Sequence, residues 1–255
     1  MISNFLEILV LSIVQGISEF LPVSSSAHLF LISEIYKFNS QSLLIDVGLH
    51  LGSLLAITFY FRNELKEIVN NKNLLFLMLL GSLPLIILGA IIYKTGLINY
   101  FRNIEVIAWT TLIFALLLYV ADKFENNKKI ETDLKLKSIL IIGVFQILAL
   151  IPGVSRSGIV ITAGRFLNFS RYDSTKISFY LSIPAIAGAS FLSLKSLVDK
   201  NIDFNLIILV SVILSFIFSY LTIKYFLLFV KKFDLKLFVT YRILLSFLLF
   251  GIIYF

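Results

Sequence analysis

The chain has 255 residues, of which 59% are hydrophobic and only 15% charged. That apolar share is well above the soluble-domain norm. It holds 22 basic and 15 acidic residues for a net charge of +7, two histidines and no cysteine. The missing cysteines exclude disulfides, thiol nucleophiles and cysteine metal sites. The basic residues sit in short stretches between apolar runs, so the positive balance predicts membrane topology, with no nucleic-acid partner.

The first apolar region, residues 2–36, has no basic residue before Lys37, which argues against a cleaved signal peptide. It is interrupted by QGISEFLPVSSSAH, Gln15 to His28. Pro22 removes a helix donor there and disfavours helical geometry at the residue before it. Three runs follow, at 42–61, 74–93 and 104–121. Each is long enough for a hydrocarbon core of about 30 Å at about 1.5 Å per residue. A second broken region, 137–170, is interrupted by QILALIPGVSRSG, Gln146 to Gly158, with Gly153 and Gly158 loosening the break beside Pro152. Three more spans close the chain, at 177–197, 206–230 and 238–255.

The two interruptions share Gln, then Pro, then Val-Ser-x-Ser, and Gln146 follows Gln15 by 131 positions. Paired broken segments in two halves point to a midplane site at a repeat interface. The expected fold is therefore an all-α polytopic membrane protein, one integral membrane domain over 1–255. Repeat one covers about 1–121 and repeat two about 137–255. Each half holds three spanning helices and one re-entrant helix–loop–helix pair. Three crossings per half invert the second half, so the two re-entrant tips enter from opposite faces. An eight-span arrangement, with both broken regions crossing, is the rival. Under the six-span reading, fourteen basic residues between Arg62 and Lys236 gather on one face, against Lys37, Lys94, Arg102, Lys195 and Lys200 on the other. The richer face is expected to be cytoplasmic, which puts both termini and the Gln15–His28 segment on the outer side.

Polar groups at membrane depth are costly and mark function. On a helix Gln15 and Glu19 share a face and can offer oxygens to one cation or water. Ser24, Ser25 and Ser26 follow Pro22 at the start of a new helix, where free N–H groups suit a phosphate. Serine needs a base to act as a nucleophile, and Glu19 and His28 are the local candidates. The second break supplies Ser155, Arg156 and Ser157; arginine offers a planar fork for bidentate phosphate binding. Such a guanidinium needs an anionic partner, Glu19 or a bound anion. The set reads as an oxyanion site, with a divalent metal bridging carboxylate and phosphate. The bland readings are serine packing between helices and a structural Arg156 ion pair. Asp46 and His50, four apart, are weaker candidates for the same cavity. Glu105, Lys224 and Arg242, near span ends, are expected to snorkel. Arg165, Arg171 and Asp173 read as an interfacial loop.

QGISEFLPVSSSAH and PGVSRSG resemble the two signature motifs of the bacterial undecaprenyl-diphosphate phosphatase family, associated with bacitracin resistance. The resemblance extends over the whole chain, including DVGLHLGSLL at Asp46–Leu55 and the tail through Tyr241 and Arg242. It implies an integral enzyme of the bacterial inner membrane. That enzyme removes the terminal phosphate of a polyprenyl diphosphate at the outer face and recycles the carrier lipid for cell-wall synthesis. The family's acid-x-x-x-Glu motif falls on Gln15 and Glu19, its Pro-x-Ser-Ser-Ser/Thr-x-His motif on Pro22, Ser24, Ser25, Ser26 and His28, and PGxSRSG on Pro152 through Gly158. Gln15 stands where many members carry Glu, which lowers the charge available to the calcium or magnesium ion the family implies. The expected roles are catalytic for Glu19, Ser25, His28 and Arg156. Ser24, Ser26, Ser155, Ser157, Gly153 and Gly158 are expected to hold the diphosphate, and Glu19 and Gln15 the metal. Attack by Ser25 and by a metal-bound water are both open. A homodimer is an open expectation. The alternative function is a transporter or flippase of a lipid phosphate or small anion, since broken helices in repeats are also transporter architecture.

Overall fold

A computed structural model describes residues 2–36, 43–125, 127–199 and 206–254. Among these the chain is helical throughout, with one isolated bridge between Lys128 and Phe169 and no strand. The helices are α1 (Ile2–Ser18), α2 (Ser25–Tyr36), α3 (Leu43–Tyr60), α4 (Arg62–Asn70), α5 (Lys72–Thr95), α6 (Ile98–Phe101) and α7 (Ile104–Ala121). They continue as α8 (Ile130–Asp133), α9 (Leu136–Ile147), α10 (Arg156–Phe166), α11 (Arg171–Asp199), α12 (Leu206–Lys232) and α13 (Lys236–Tyr254). Five of them, α5, α7, α11, α12 and α13, are long and apolar enough to cross a membrane. The run expected at 42–61 is α3, apolar over the shorter stretch Ile45–Tyr60, and Ser42 lies outside the described residues. The spans keep an apolar outer surface, with Leu55, Phe76, Trp109, Leu209 and Phe247 all exposed, as a lipid-facing exterior requires.

Helix ends follow local chemistry. Asn71 and Asn103 cap α5 and α7 by accepting from the N–H groups of Leu74 (3.1 Å) and Val106 (2.8 Å). Gly96 ends α5 in the left-handed region at φ 69°. Both broken regions turn where the prolines predict. Ser24 and Ser155, 131 positions apart, sit at φ 76° and 71°, each just before its new helix. A serine in that region is strained, and such strain gathers at functional sites.

Packing repeats between the halves. α1 lies on α12 as α9 lies on α5; α3 lies on α12 as α11 lies on α5; α7 pairs with α13. Small residues permit the close approaches. A Cβ at Gly52 would fall 2.4 Å from the Val212 carbonyl of α12, and one at Gly16 would fall 2.5 Å from Phe218 Cβ. Beside that contact Ser53 bonds Ser215 (3.2 Å) and Ser219 (3.0 Å), and Ser215 donates to the Leu49 carbonyl at 2.6 Å. These hydroxyls join α3 to α12 without needing water.

Two expectations are corrected. Arg165 is completely buried; it donates to the carbonyls of Phe169, Asp122 and Phe124 and lies 3.6 Å from Asp122. Asp122 also takes Arg171 Nε at 2.6 Å and the Leu235 N–H at 3.1 Å. The expected interfacial loop is thus a latch joining the ends of α7, α10 and α11 to the α12–α13 turn. Arg242, expected to snorkel, is also completely buried, because the carbonyls of two loops converge on it.

Candidate functional site

The turns between α1 and α2 and between α9 and α10 meet in the interior. Ser157 Oγ donates to the Leu21 carbonyl at 2.6 Å, and Phe20 packs edge-on against Phe179 with ring centroids 5.4 Å apart. Glu19 sits at this junction, 8% exposed. One of its carboxylate oxygens, Oε1, accepts from Arg156 Nη2 at 2.9 Å. The other, Oε2, accepts from Ser25 Oγ at 2.7 Å and from Gln15 Nε2 at 3.1 Å. One carboxylate thus binds a hydroxyl from its own segment and a guanidinium 137 residues away.

The local backbone explains each placement. Gln15 lies one helical turn before Glu19, whose N–H donates to the Gln15 carbonyl at 3.0 Å. The turn over 19–23 frees the chain to reverse, and α2 begins at Ser25. In the second segment Ser155 caps α10 by accepting from the Gly158 N–H at 3.2 Å, and its hydroxyl lies 3.2 Å from that of Ser157. Arg156, first residue of α10, points its fork at Glu19, with a weaker contact from Nη1 to the Ser178 carbonyl at 3.5 Å. Both helices present N-terminal amides at the junction, the arrangement that receives phosphate oxygens.

The remaining predicted residues divide. His28 is turned elsewhere: Nδ1 lies 2.7 Å from the Ser24 carbonyl and Nε2 2.5 Å from the Tyr241 hydroxyl, with the two rings stacked. Gly153, at φ 90°, lies against α7; a Cβ there would sit 2.1 Å from Thr110 Oγ1, which donates to the Pro152 carbonyl at 2.7 Å. Gly158 leaves room for Arg242, whose Nη1 would lie 3.0 Å from an added Cβ. The Ser26 side chain lies outside the described residues.

His50, the weaker candidate, joins the site: its Nδ1 lies 3.1 Å from Gln15 Nε2. Tyr241 and Arg242 were not expected there. Their sequence signal was a lone arginine within an apolar run, read instead as a span end.

Gln15 fits a metal ligand's role. Its Nε2 is engaged, while Oε1 is buried without a hydrogen-bond partner among the described residues. A buried amide oxygen left unpaired is costly, and a hard cation would satisfy it. No group of three or more His, Cys, Asp or Glu gathers among the described residues, so such a cation would share substrate oxygens and water.

The chain matches the family described as Bacitracin resistance protein BacA over residues 8–248. It is 59% identical to the undecaprenyl-diphosphatase of Pelagibacter ubique over 255 residues, the whole of both chains. It is 42% identical to that of Elusimicrobium minutum, covering 92% of this chain and 93% of that one. It is also 40% identical to that of Campylobacter curvus, covering 97% and 98%. The chain belongs to the bacitracin resistance protein BacA family.

Proposed function

We propose that this family member is an undecaprenyl-diphosphatase, an enzyme that hydrolyses undecaprenyl diphosphate to the monophosphate and phosphate. One observation carries the reading: Glu19 accepts from both Ser25 Oγ at 2.7 Å and Arg156 Nη2 at 2.9 Å. A hydroxyl beside a carboxylate base and a guanidinium is a nucleophile with its activator and its anion clamp.

The steps follow from those contacts. The terminal phosphoryl group lies on Arg156 and the amides at the starts of α2 and α10. Glu19 takes the Ser25 proton as Oγ attacks phosphorus. An O–P bond forms, the bridging P–O bond breaks, and undecaprenyl monophosphate leaves with that proton, which returns Glu19 to its carboxylate. Glu19 then deprotonates water, which attacks the phosphoserine; as the Oγ–P bond breaks, inorganic phosphate leaves and Glu19 hands the proton back to Ser25 Oγ. His28, held by Tyr241 and the Ser24 carbonyl, orients the start of α2 instead of touching Ser25. Gln15 and Glu19 would hold a calcium or magnesium ion, which would supply charge neutralisation for the phosphoryl oxygens.

For the fold we propose an inverted repeat of six spans and two re-entrant pairs. Its support is the 131-residue offset between the strained serines and the helix pairings exchanged between halves. The uneven loop charges favour an inner-membrane orientation with the site open to the outer side.

The test is phosphate release from undecaprenyl diphosphate by purified protein in detergent, with calcium, magnesium or chelator. Cation-dependent release is expected, with a phosphoserine trapped at Ser25 on acid quench. Release with oxygen-isotope incorporation and no phosphoserine would replace the serine step by direct water attack. No release from folded protein would turn the reading to transport, which needs binding donors but not the Ser25–Glu19 pair.

A further inference from the structure

Arg242 has no role in the steps above, yet it is completely buried and pairs with no carboxylate among the described residues. Its Nη2 donates to the carbonyls of Gly153 (2.9 Å) and Val154 (3.1 Å), and its Nη1 to that of Pro22 at 3.3 Å. One guanidinium on α13 therefore holds both broken loops by their backbones, one 220 residues away and the other 89. Arg156 spends its charge on Glu19; among the described residues the charge of Arg242 meets only carbonyl dipoles. An isolated buried cation is expensive unless an anion completes its surroundings. The Val154 carbonyl that it holds belongs to the peptide bearing the Ser155 N–H, at the start of α10. Polarising that carbonyl strengthens the amide as a donor toward an oxyanion.

Resting on the phosphatase reading, we propose that Arg242 is a positioning residue for the diphosphate site. Its fork sets the register of the two loops, and its unpaired charge raises the affinity of the amides at both tips for a diphosphate. It need not touch the substrate. The geometry explains why arginine is required: three carbonyls from two loops need a planar, multi-donor cation, which a lysine ammonium cannot imitate.

The test compares wild type, Arg242→Lys and Arg242→Gln as full chains in detergent, after gel filtration and thermal melting establish folding. Turnover is read with farnesyl diphosphate, and binding by the thermal shift from farnesyl methylenediphosphonate, which cannot be hydrolysed. For Arg242→Lys, kcat is expected to fall about 10²-fold, the cost of a small misplacement of reacting groups, with analogue binding largely kept because the charge remains. For Arg242→Gln both fall, analogue affinity by about tenfold or more. A folded Arg242→Gln with kcat and analogue affinity within twofold of wild type would overturn the proposal. If that variant does not fold, unchanged kcat in Arg242→Lys overturns it instead. If wild type binds the analogue but releases no phosphate, the phosphatase reading alone fails, and the analogue shifts still decide Arg242.

Discussion

The two broken segments share a backbone and differ in chemistry. Gln15 and Gln146 occupy the same place, as do Ser24 and Ser155, and a new helix begins one residue after each serine. At the Glu19 position the second segment has Leu150, at the Ser25 position Arg156, and at the His28 position Ile159. The first half contributes carboxylate and hydroxyl; the second contributes the cation. The glutamines show what that division costs. Gln15 has partners in Glu19 and His50, while Gln146 is fully buried with neither amide atom bonded among the described residues. Matching backbones therefore do not make matching chemistry: an oxyanion site needs unlike groups brought together, and the two segments differ where they meet.

The largest expected effect comes from emptying the first segment. Ser25→Ala and Glu19→Gln should each lower kcat by about 10³-fold or more, the range for a lost nucleophile or base. Single-turnover phosphate release measures it, and near-normal turnover in either would dissolve the division of labour. Glu19→Gln also strips Arg156 of its counter-charge, at a stability cost of about 3–5 kcal/mol for a broken buried pair, visible as a lower melting temperature.

Arg156→Lys tests the second segment's contribution. The charge stays and the fork is lost, so activity should fall about 10²-fold while the fold survives. A variant with near-normal kcat/KM would show that the guanidinium geometry is unnecessary.

Smaller effects sharpen the glutamine contrast. Gln15→Glu adds a negative charge beside Glu19 and removes the donor to Glu19 and His50. Its cation requirement should fall several-fold, and calcium should raise its melting temperature more than that of wild type; equal calcium shifts would remove Gln15 from the metal site. Gln146→Met deletes an unbonded buried amide. It should leave turnover unchanged and stabilise the fold by about 1–3 kcal/mol. A loss of activity in that variant would mean that the second glutamine serves the site after all.

Much of this was legible in one dimension. Apolar runs marked the spans, because a helix satisfies its own backbone and needs only apolar side chains to enter lipid. Prolines and serines marked both breaks, because proline denies the helix a donor wherever it sits. Polar groups clustered within apolar runs singled out Glu19, Ser25 and Arg156, because such groups are costly there, and the fold brings the three into contact. What the chain could not show alone was partnership. That Arg156 would find Glu19, that His28 would turn to Tyr241, and that Arg242 would be buried behind both loops depends on contacts spanning 137, 213 and 220 residues. Such pairings are set by how α13, α7 and the two turns pack together, and no local propensity encodes them. Sequence decided which groups are present and where the helices break; only the tertiary fold decided which of them meet.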